Sequence, residues 1–361
     1  MKVFFSNLNG EVYLIGIYLN FIIKLFKAKL NKRRVPLIVI LCVTNRCNLN
    51  CWYCYGEHPY RKDWQEFTTE ELLNIVRMLY KLGTQVIQIQ GGEPLLRPDL
   101  VVVIKEIKKL GMICDMVTNG TLVSERKNVI RLLDKICISL DGPSTVNDRN
   151  RGKGTFSLIE KGIKVSRSFG LPVRISTVLT SELSTKGIDW LISFSSKYNA
   201  VVNFSPSFEF ISQTRSKFKP HVIADENLKI LFKHIIDCKK KGAPIQFSVK
   251  SYNYSFKWPF TYKKRMLNSD EIPSGLDYPK CYHGEYVFFI DSDGSLYPCC
   301  NFWGRPKFNI REQGLKESIF NVKRQGCETC YIPAYVDRNL FFDFKPSIWL
   351  NYIKQAIRGG V

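Results

Sequence analysis

The stretch Leu37-Ile-Val-Ile-Leu-Cys-Val43-Thr-Asn-Arg-Cys47-Asn-Leu-Asn-Cys51-Trp-Tyr-Cys54 decides how this chain is read. Its first part is a continuous apolar run, as in a strand buried on both faces of a parallel sheet. The run then gives way to a polar loop with cysteines at spacings x3 and x2. A buried strand that ends in such a loop gathers its thiols at one end of a sheet. Thiolates are soft ligands suited to iron–sulfur clusters or zinc. No fourth Cys or His completes the set inside the motif, and His58 follows four residues later on an expected loop. Structural zinc takes four closed ligands. Three thiolates leave one iron of a four-iron cluster open to another molecule.

Downstream, strands and helices alternate. Strands are expected at 85–90, 112–117, 135–140, 173–179 and 201–205. Helices are expected at 68–82, 99–110, 124–133, 156–168, 186–198 and 225–240. Thr68 or Thr69 ahead of Glu70 and Glu71 marks a helix start. Strand-then-helix units call for a parallel sheet with right-handed crossovers. The expected fold class is therefore α/β, a partial (β/α)6 barrel with reacting groups on the loops after the strands. From about Lys250 the alternation stops and aromatics, prolines and cysteines become frequent. This predicts a small cysteine-rich α+β C-terminal domain. The expected division is an N-terminal segment 1–34, a core barrel 35–245 and a C-terminal domain 246–361.

The loops carry further motifs: Gly91-Gly92-Glu93-Pro94, Thr118-Asn119-Gly120 and Ser139-Leu-Asp141-Gly142 follow the second, third and fourth strands. With C-x3-C-x2-C and the aromatic Tyr53, this ordered set resembles the radical S-adenosylmethionine (radical SAM) enzymes over roughly residues 35–245. The resemblance implies that Cys47, Cys51 and Cys54 hold a [4Fe–4S] cluster whose open iron takes S-adenosylmethionine. It implies that Glu93 and the backbone at Gly91 and Gly92 receive the cofactor's amino group. The Tyr53 backbone lies by the adenine, and Ser139 touches the methionine or ribose. Arg149 or Arg151 pairs with the carboxylate, only one of them pointing inward. Asn119 is either a turn former ahead of Gly120 or a cofactor contact. Val178, at the end of the fifth strand, either packs on the adenine or belongs to ordinary core packing. The implied chemistry is reductive cleavage to a 5′-deoxyadenosyl radical that abstracts hydrogen from a substrate. An electron donor such as flavodoxin or ferredoxin is the implied partner.

Four more cysteines, Cys281, Cys299, Cys327 and Cys330, lie in the C-terminal part. Residues 286–297, with Asp291-Ser-Asp293-Gly294 at the turn, read as a hairpin that brings Cys281 and Cys299 together. Gly294-Ser-Leu-Tyr-Pro-Cys299 resembles the start of the family's SPASM or twitch extension. No cysteine follows Cys330, which favours the shorter twitch form with one auxiliary [4Fe–4S] cluster on all four; zinc is the alternative. Cys42, Cys114 and Cys137 read as small buried hydrophobes. Cys300 adjoins a ligand, where sulfatase-maturing relatives have an acidic base.

The chain has 361 residues, with 53 Lys and Arg against 32 Asp and Glu, a net charge of +21. Such a balance predicts an anionic partner. Twelve cysteines are too few for a disulfide-dense secreted scaffold. A reducing cytoplasm is expected. Residues 12–26 are apolar but shorter than a bilayer span and interrupted by Asn20 and Lys24. They lack the features of a signal peptide. Asn20, Lys24, Lys27, Asn31 and Arg34 recur at helical spacing as a polar stripe. This predicts either a basic amphipathic helix on an anionic membrane, at its inner face, or a helix packed under the barrel. The favoured substrate is a lipid or membrane-associated intermediate. The alternatives are a ribosomally made peptide or a small hydroxylated or sugar-like molecule. A zinc-containing nucleic-acid binder is the competing class; nucleic acid is not the expected partner.

Overall fold

A computed structural model describes residues 19–54, 65–207, 223–303, 308–322 and 326–357. The apolar run Leu37–Val43 becomes β1 (Ile38–Cys42), in which every residue after the first is buried. β1 is followed by β2 (Val86–Gln90), β3 (Ile113–Thr118), β4 (Lys135–Ser139), β5 (Val173–Leu179) and β6 (Val201–Pro206). Each of these six pairs parallel with the next. The crossovers carry α2 (Thr69–Leu82), α3 (Leu100–Lys109), α4 (Lys127–Ile130), α5 (Ser144–Arg151), α6 (Thr155–Ser168) and α7 (Thr185–Lys197); α8 (Asp225–Lys240) follows β6. The fold is the expected α/β type. α2 begins at a capping box: Thr68 Oγ1 accepts from Glu71 N, and Glu71 accepts from Thr68 N. Gly83 closes it at φ +105°.

Two crossovers differ from expectation. The apolar residues of 124–133 support only the single turn α4. Val129 and Ile130 are buried within it and Leu133 by the turn that follows. Conversely, α5 forms on a sequence without an apolar stripe. Asn147, Asn150 and Arg151 are its buried residues.

The C-terminal part joins the same sheet. β8 (Val287–Ile290) pairs parallel with β1 on the side away from β2. β9 (Ser295–Tyr297) and β10 (Phe308–Asn309) add antiparallel. The order is β10-β9-β8-β1-β2-β3-β4-β5-β6. The expected hairpin is β8–β9, turning at Gly294 with φ +92°. A second sheet pairs β7 (Met266–Asn268) with β11 (Cys327–Cys330). The helices of this part are α9 (Val249–Phe256), α10 (Leu315–Asn321), α11 (Pro333–Phe342) and α12 (Pro346–Ile357), with α10 packed against α2 and β10.

The strand directions separate the cysteine groups. Phe289 is level with Tyr297, so β9 carries Cys299 back toward Val287, which is level with Ile38 at the start of β1. Cys47 lies beyond the other end of β1. Four strand rises between Ile38 and Cys42 amount to about 13 Å.

Helix α1 (residues 19–30) packs on the body through Phe21, Leu25 and Ala28, which join a core with Tyr282, Tyr286 and Phe342. Lys29 Nζ donates to the Phe342 carbonyl at 2.6 Å, and Asn20 Nδ2 to Gln85 Oε1 at 2.9 Å. Of the expected polar stripe, Asn20, Lys27 and Asn31 are exposed and Lys24 and Arg34 half-buried. Beside it Leu19, Ile23, Phe26 and Leu30 form an exposed apolar row. Residues 12–18 of the apolar stretch, and His58, lie outside the described residues. Among the described residues no helix is long and apolar enough to cross a membrane.

Candidate active site

The loop after β1 is held to its neighbours by short polar contacts. Gly92 N donates to Thr44 O at 2.9 Å, and Glu93 N to Arg46 O at 2.8 Å. A Cβ on Gly92 would stand 2.2 Å from the Arg46 oxygen, and one on Gly91 2.5 Å from the Thr44 oxygen. Glycine is required here because two backbone segments touch. Asn119 Nδ2 donates to Asn48 Oδ1 at 2.8 Å, and Asn48 Nδ2 to Thr121 Oγ1 at 3.0 Å. Trp52 Nε1 donates to Asn150 Oδ1 at 3.1 Å, and the Tyr53 hydroxyl donates to Asp141. The loops after β1, β2, β3 and β4 thus form one unit. Cys47, Cys51 and Cys54 line a cavity of about 350 Å³ that continues down the barrel.

Most predicted residues reach that cavity: Tyr53, Gly91, Gly92, Asn119, Ser139 and Arg151 line it, as does Val178. Asn119 forms the expected turn and also lines the cavity. Its Oδ1 also accepts from Thr121 N at 3.0 Å, while Gly120 takes φ +84°. Glu93 and Arg149 are not among the residues that line the cavity. Glu93 is fully buried behind the wall. Its carboxylate accepts from Leu95 N at 3.0 Å, Thr118 Oγ1 at 2.7 Å and Asn119 N at 2.7 Å. It organises the adjoining loops in place of reaching the cavity. Burial pushes its carboxyl up to about 7 against these three donors. Arg149 points outward to Glu182. Arg151 faces inward and donates to both Asp141 oxygens at 3.0 Å. Asp141 therefore joins Arg151 to Tyr53, whose ring lies 5.6 Å from the guanidinium.

Several residues at the wall were not anticipated, together with Asp115, which is buried behind it. Asp115 accepts from Gln88 Nε2 at 2.8 Å and pairs with Arg174. Asn203 accepts from Ser176 Oγ at 3.2 Å and donates to Gln246 at 3.0 Å. A charged residue inside each of the strands ICDMVT and VRISTVL is the signal that marks this polar interior. Farther down, His283, Cys299, Cys300, Tyr335 and Arg338 line the same cavity. Cys300 Sγ and the Tyr335 hydroxyl are 2.6 Å apart, and the His283 ring lies 4.2 Å from that of Tyr335.

Cys281, Cys299, Cys327 and Cys330 are buried together. The Cys299 thiol is pushed up by burial first, and then by the charges of Cys300, Cys281, Cys330 and Cys327. At the other group, burial pushes Cys47 up to about 12 and Cys51 to about 11. All twelve cysteines are free thiols.

A partial α/β barrel whose strand ends carry three convergent thiols is the framework of an iron–sulfur enzyme. The family model described as "Radical SAM superfamily" matches residues 41–183. An uncharacterized protein of Methanocaldococcus jannaschii is 34% identical over 307 residues, covering 80% of this chain and 93% of the relative. The chain belongs to the radical SAM superfamily of enzymes, whose cofactors are [4Fe–4S] clusters and S-adenosylmethionine. A GTP 3′,8-cyclase of Peptoclostridium acidaminophilum is 36% identical over 148 residues, covering 38% of this chain and 45% of the relative. The chain spans about half the length of the curated cyclases it matches first. Among solved structures, Streptococcus suis SuiB aligns with TM-score 0.62 at 19% identity, covering 82% of this chain and 68% of SuiB. The protein anSMEcpe, solved with bound AdoMet, aligns with TM-score 0.61 at 18% identity, covering 88% of this chain and 99% of that one. These two likenesses concern the fold.

Proposed function

We propose that this enzyme uses S-adenosylmethionine at the Cys47–Cys54 end of the barrel to act on a small polar substrate that carries an anionic group. Cys47, Cys51 and Cys54 would hold the first cluster. Cys281, Cys299, Cys327 and Cys330 would hold an auxiliary cluster for electron transfer, in a twitch-type domain over 246–361 behind a core over 35–245. The backbone at Gly91 and Gly92, with Tyr53, Asn119, Ser139, Val178 and Arg151, would surround S-adenosylmethionine. When bound, the cluster and S-adenosylmethionine supply reductive carbon–sulfur cleavage and abstraction of hydrogen from a C–H bond. The chain's own residues orient the partners and exclude water from them.

The observation that carries the substrate reading is the cavity wall. Among its described residues stand three arginines and no carboxylate. Arg151 and Arg174 are each paired with a buried aspartate. Arg338 has no such ion pair among the described residues. It shares a face of α11 with Tyr335, one turn away. The amides and hydroxyls of Gln88, Ser176, Asn203 and Gln246 between the two ends suit a hydrogen-bonding substrate better than a lipid tail. The cyclase relatives make a nucleotide one such substrate, and the SuiB likeness makes a peptide the second reading. Equilibrium dialysis of the reconstituted enzyme with GTP, inorganic pyrophosphate and citrate tests the anionic group. At least one of these probes should bind, and Arg338→Gln should weaken that binding by about tenfold or more, the value of one charge-assisted hydrogen bond. Equal binding by the variant, or no binding of any probe, contradicts the reading.

The exposed row Leu19, Ile23, Phe26 and Leu30, beside Lys27 on the same helix, supports a separate peripheral contact with anionic membrane. Flotation with anionic vesicles should fall sharply on Phe26→Ser. Equal flotation of the two proteins, or equal binding to neutral vesicles, counts against membrane docking.

A further inference from the structure

Away from the cavity, on the outer face of the barrel, Asp189 of α7 meets His234 and Cys238 of α8. His234 and Cys238 are four residues apart on one helix, so their side chains stack on a single face. His234 Nε2 lies 2.7 Å from Asp189 Oδ1 and 3.6 Å from Cys238 Sγ. Cys238 Sγ lies 3.7 Å from Asp189 Oδ1. The three atoms therefore converge on one another.

That convergence separates two readings of a Cys, His and Asp together. In a nucleophilic triad the thiol and the carboxylate bond opposite nitrogens of the imidazole. Here both approach the same nitrogen, Nε2. Three donor atoms that face one point are arranged as ligands. The spacing agrees with a tetrahedral ion. Bonds of about 2.0–2.1 Å to nitrogen and oxygen and about 2.3 Å to sulfur separate sulfur from either neighbour by about 3.6 Å, and nitrogen from oxygen by about 3.4 Å. Both sulfur distances already match. Only the histidine–carboxylate pair must open, by about 0.7 Å on the same geometry. The Asp189 side chain is 55% exposed and free to shift by that amount.

We infer that Asp189, His234 and Cys238 form a surface site for a borderline-soft divalent cation of the zinc class, distinct from both cysteine groups of the barrel. The mixed sulfur, nitrogen and oxygen set suits zinc and disfavours magnesium or calcium, which prefer oxygen alone. On binding, Cys238 gives up its thiol proton to solvent and becomes the thiolate ligand. With three protein ligands, the fourth position is left to water. The ion would clamp α7 to α8, the last two helices of the barrel. Nothing in this site depends on the substrate reading above.

The test uses the full chain with its iron–sulfur clusters reconstituted anaerobically, so that the cluster cysteines are occupied. The protein is incubated with a slight excess of zinc chloride, desalted, and measured for zinc and iron by mass spectrometry. The wild-type chain should keep one zinc. His234→Ala and Cys238→Ser should each lose it to background with iron unchanged. Iron content serves as the check that the variants fold. Arg149→Gln, on the surface away from the site, should keep the zinc. A wild-type chain without zinc, or variants that hold as much zinc as wild type, overturns the inference.

Discussion

Replacing Cys47, Cys51 or Cys54 with alanine is expected to abolish 5′-deoxyadenosine formation and to remove one cluster of two. Reconstituted wild-type protein should carry about eight irons per chain, and each of these variants about four. Alanine at Cys281, Cys299, Cys327 or Cys330 should also lower iron to about four, yet leave cleavage of S-adenosylmethionine in place. The asymmetry follows from where the two groups sit. The first lines the cavity beside Gly91 and Gly92 at the C-terminal strand ends. Of the second, Cys299 follows β9 at the level where β1 begins, and Cys327 and Cys330 lie in β11. Iron and sulfide assays, paired with chromatography of the reaction products, read both quantities. An unchanged iron content in the Cys299 variant would sink the auxiliary cluster. Cleavage retained in the Cys47 variant would sink the first assignment.

The second large effect concerns Asp141, which is fully buried. Asp141→Ala should destabilise the protein by about 3–5 kcal/mol, because it leaves the buried guanidinium of Arg151 without its partner. The Tyr53 hydroxyl loses its acceptor in the same step. Arg149→Gln is the control. Its ion pair with Glu182 is exposed, with 67% of the arginine side chain accessible. Removing it should change stability by less than about 1 kcal/mol. Anaerobic urea unfolding of both variants measures the difference. An Asp141→Ala protein as stable as Arg149→Gln would show that the buried network does not hold the cysteine loop.

The pair Arg149 and Arg151 also shows where the sequence stops being readable. Two residues apart on a helix, they point to nearly opposite sides, so one inward arginine was foreseeable. Which one depends on Asp141, ten positions from Arg151 and brought to it by the turn after β4. The strands β1 to β4 were legible because each is rich in apolar residues and ends at a motif, and the motifs fall on the loops that meet. The helix α5 was not, since polar contacts stabilise it: Asp148 accepts from Gly154 N at 2.7 Å and Phe156 N at 2.8 Å. Glu93 was legible as part of a motif but not in its role. Only the folded chain brings Thr118 and Asn119 to its carboxylate. The joining of β8 to β1 links residues about 250 positions apart, and no local pattern announces it. The helix α1 was read as amphipathic. The face it buries is set by Tyr282, Tyr286 and Phe342, far along the chain.

One measurement bears on the whole account. The full-length chain, reconstituted anaerobically with iron and sulfide, is incubated with S-adenosylmethionine and dithionite, and 5′-deoxyadenosine is quantified. The account predicts a brown protein that forms 5′-deoxyadenosine, with formation lost when S-adenosylmethionine or the reductant is left out. A colourless, zinc-loaded protein, or a protein with both clusters in place that forms no 5′-deoxyadenosine, would contradict it.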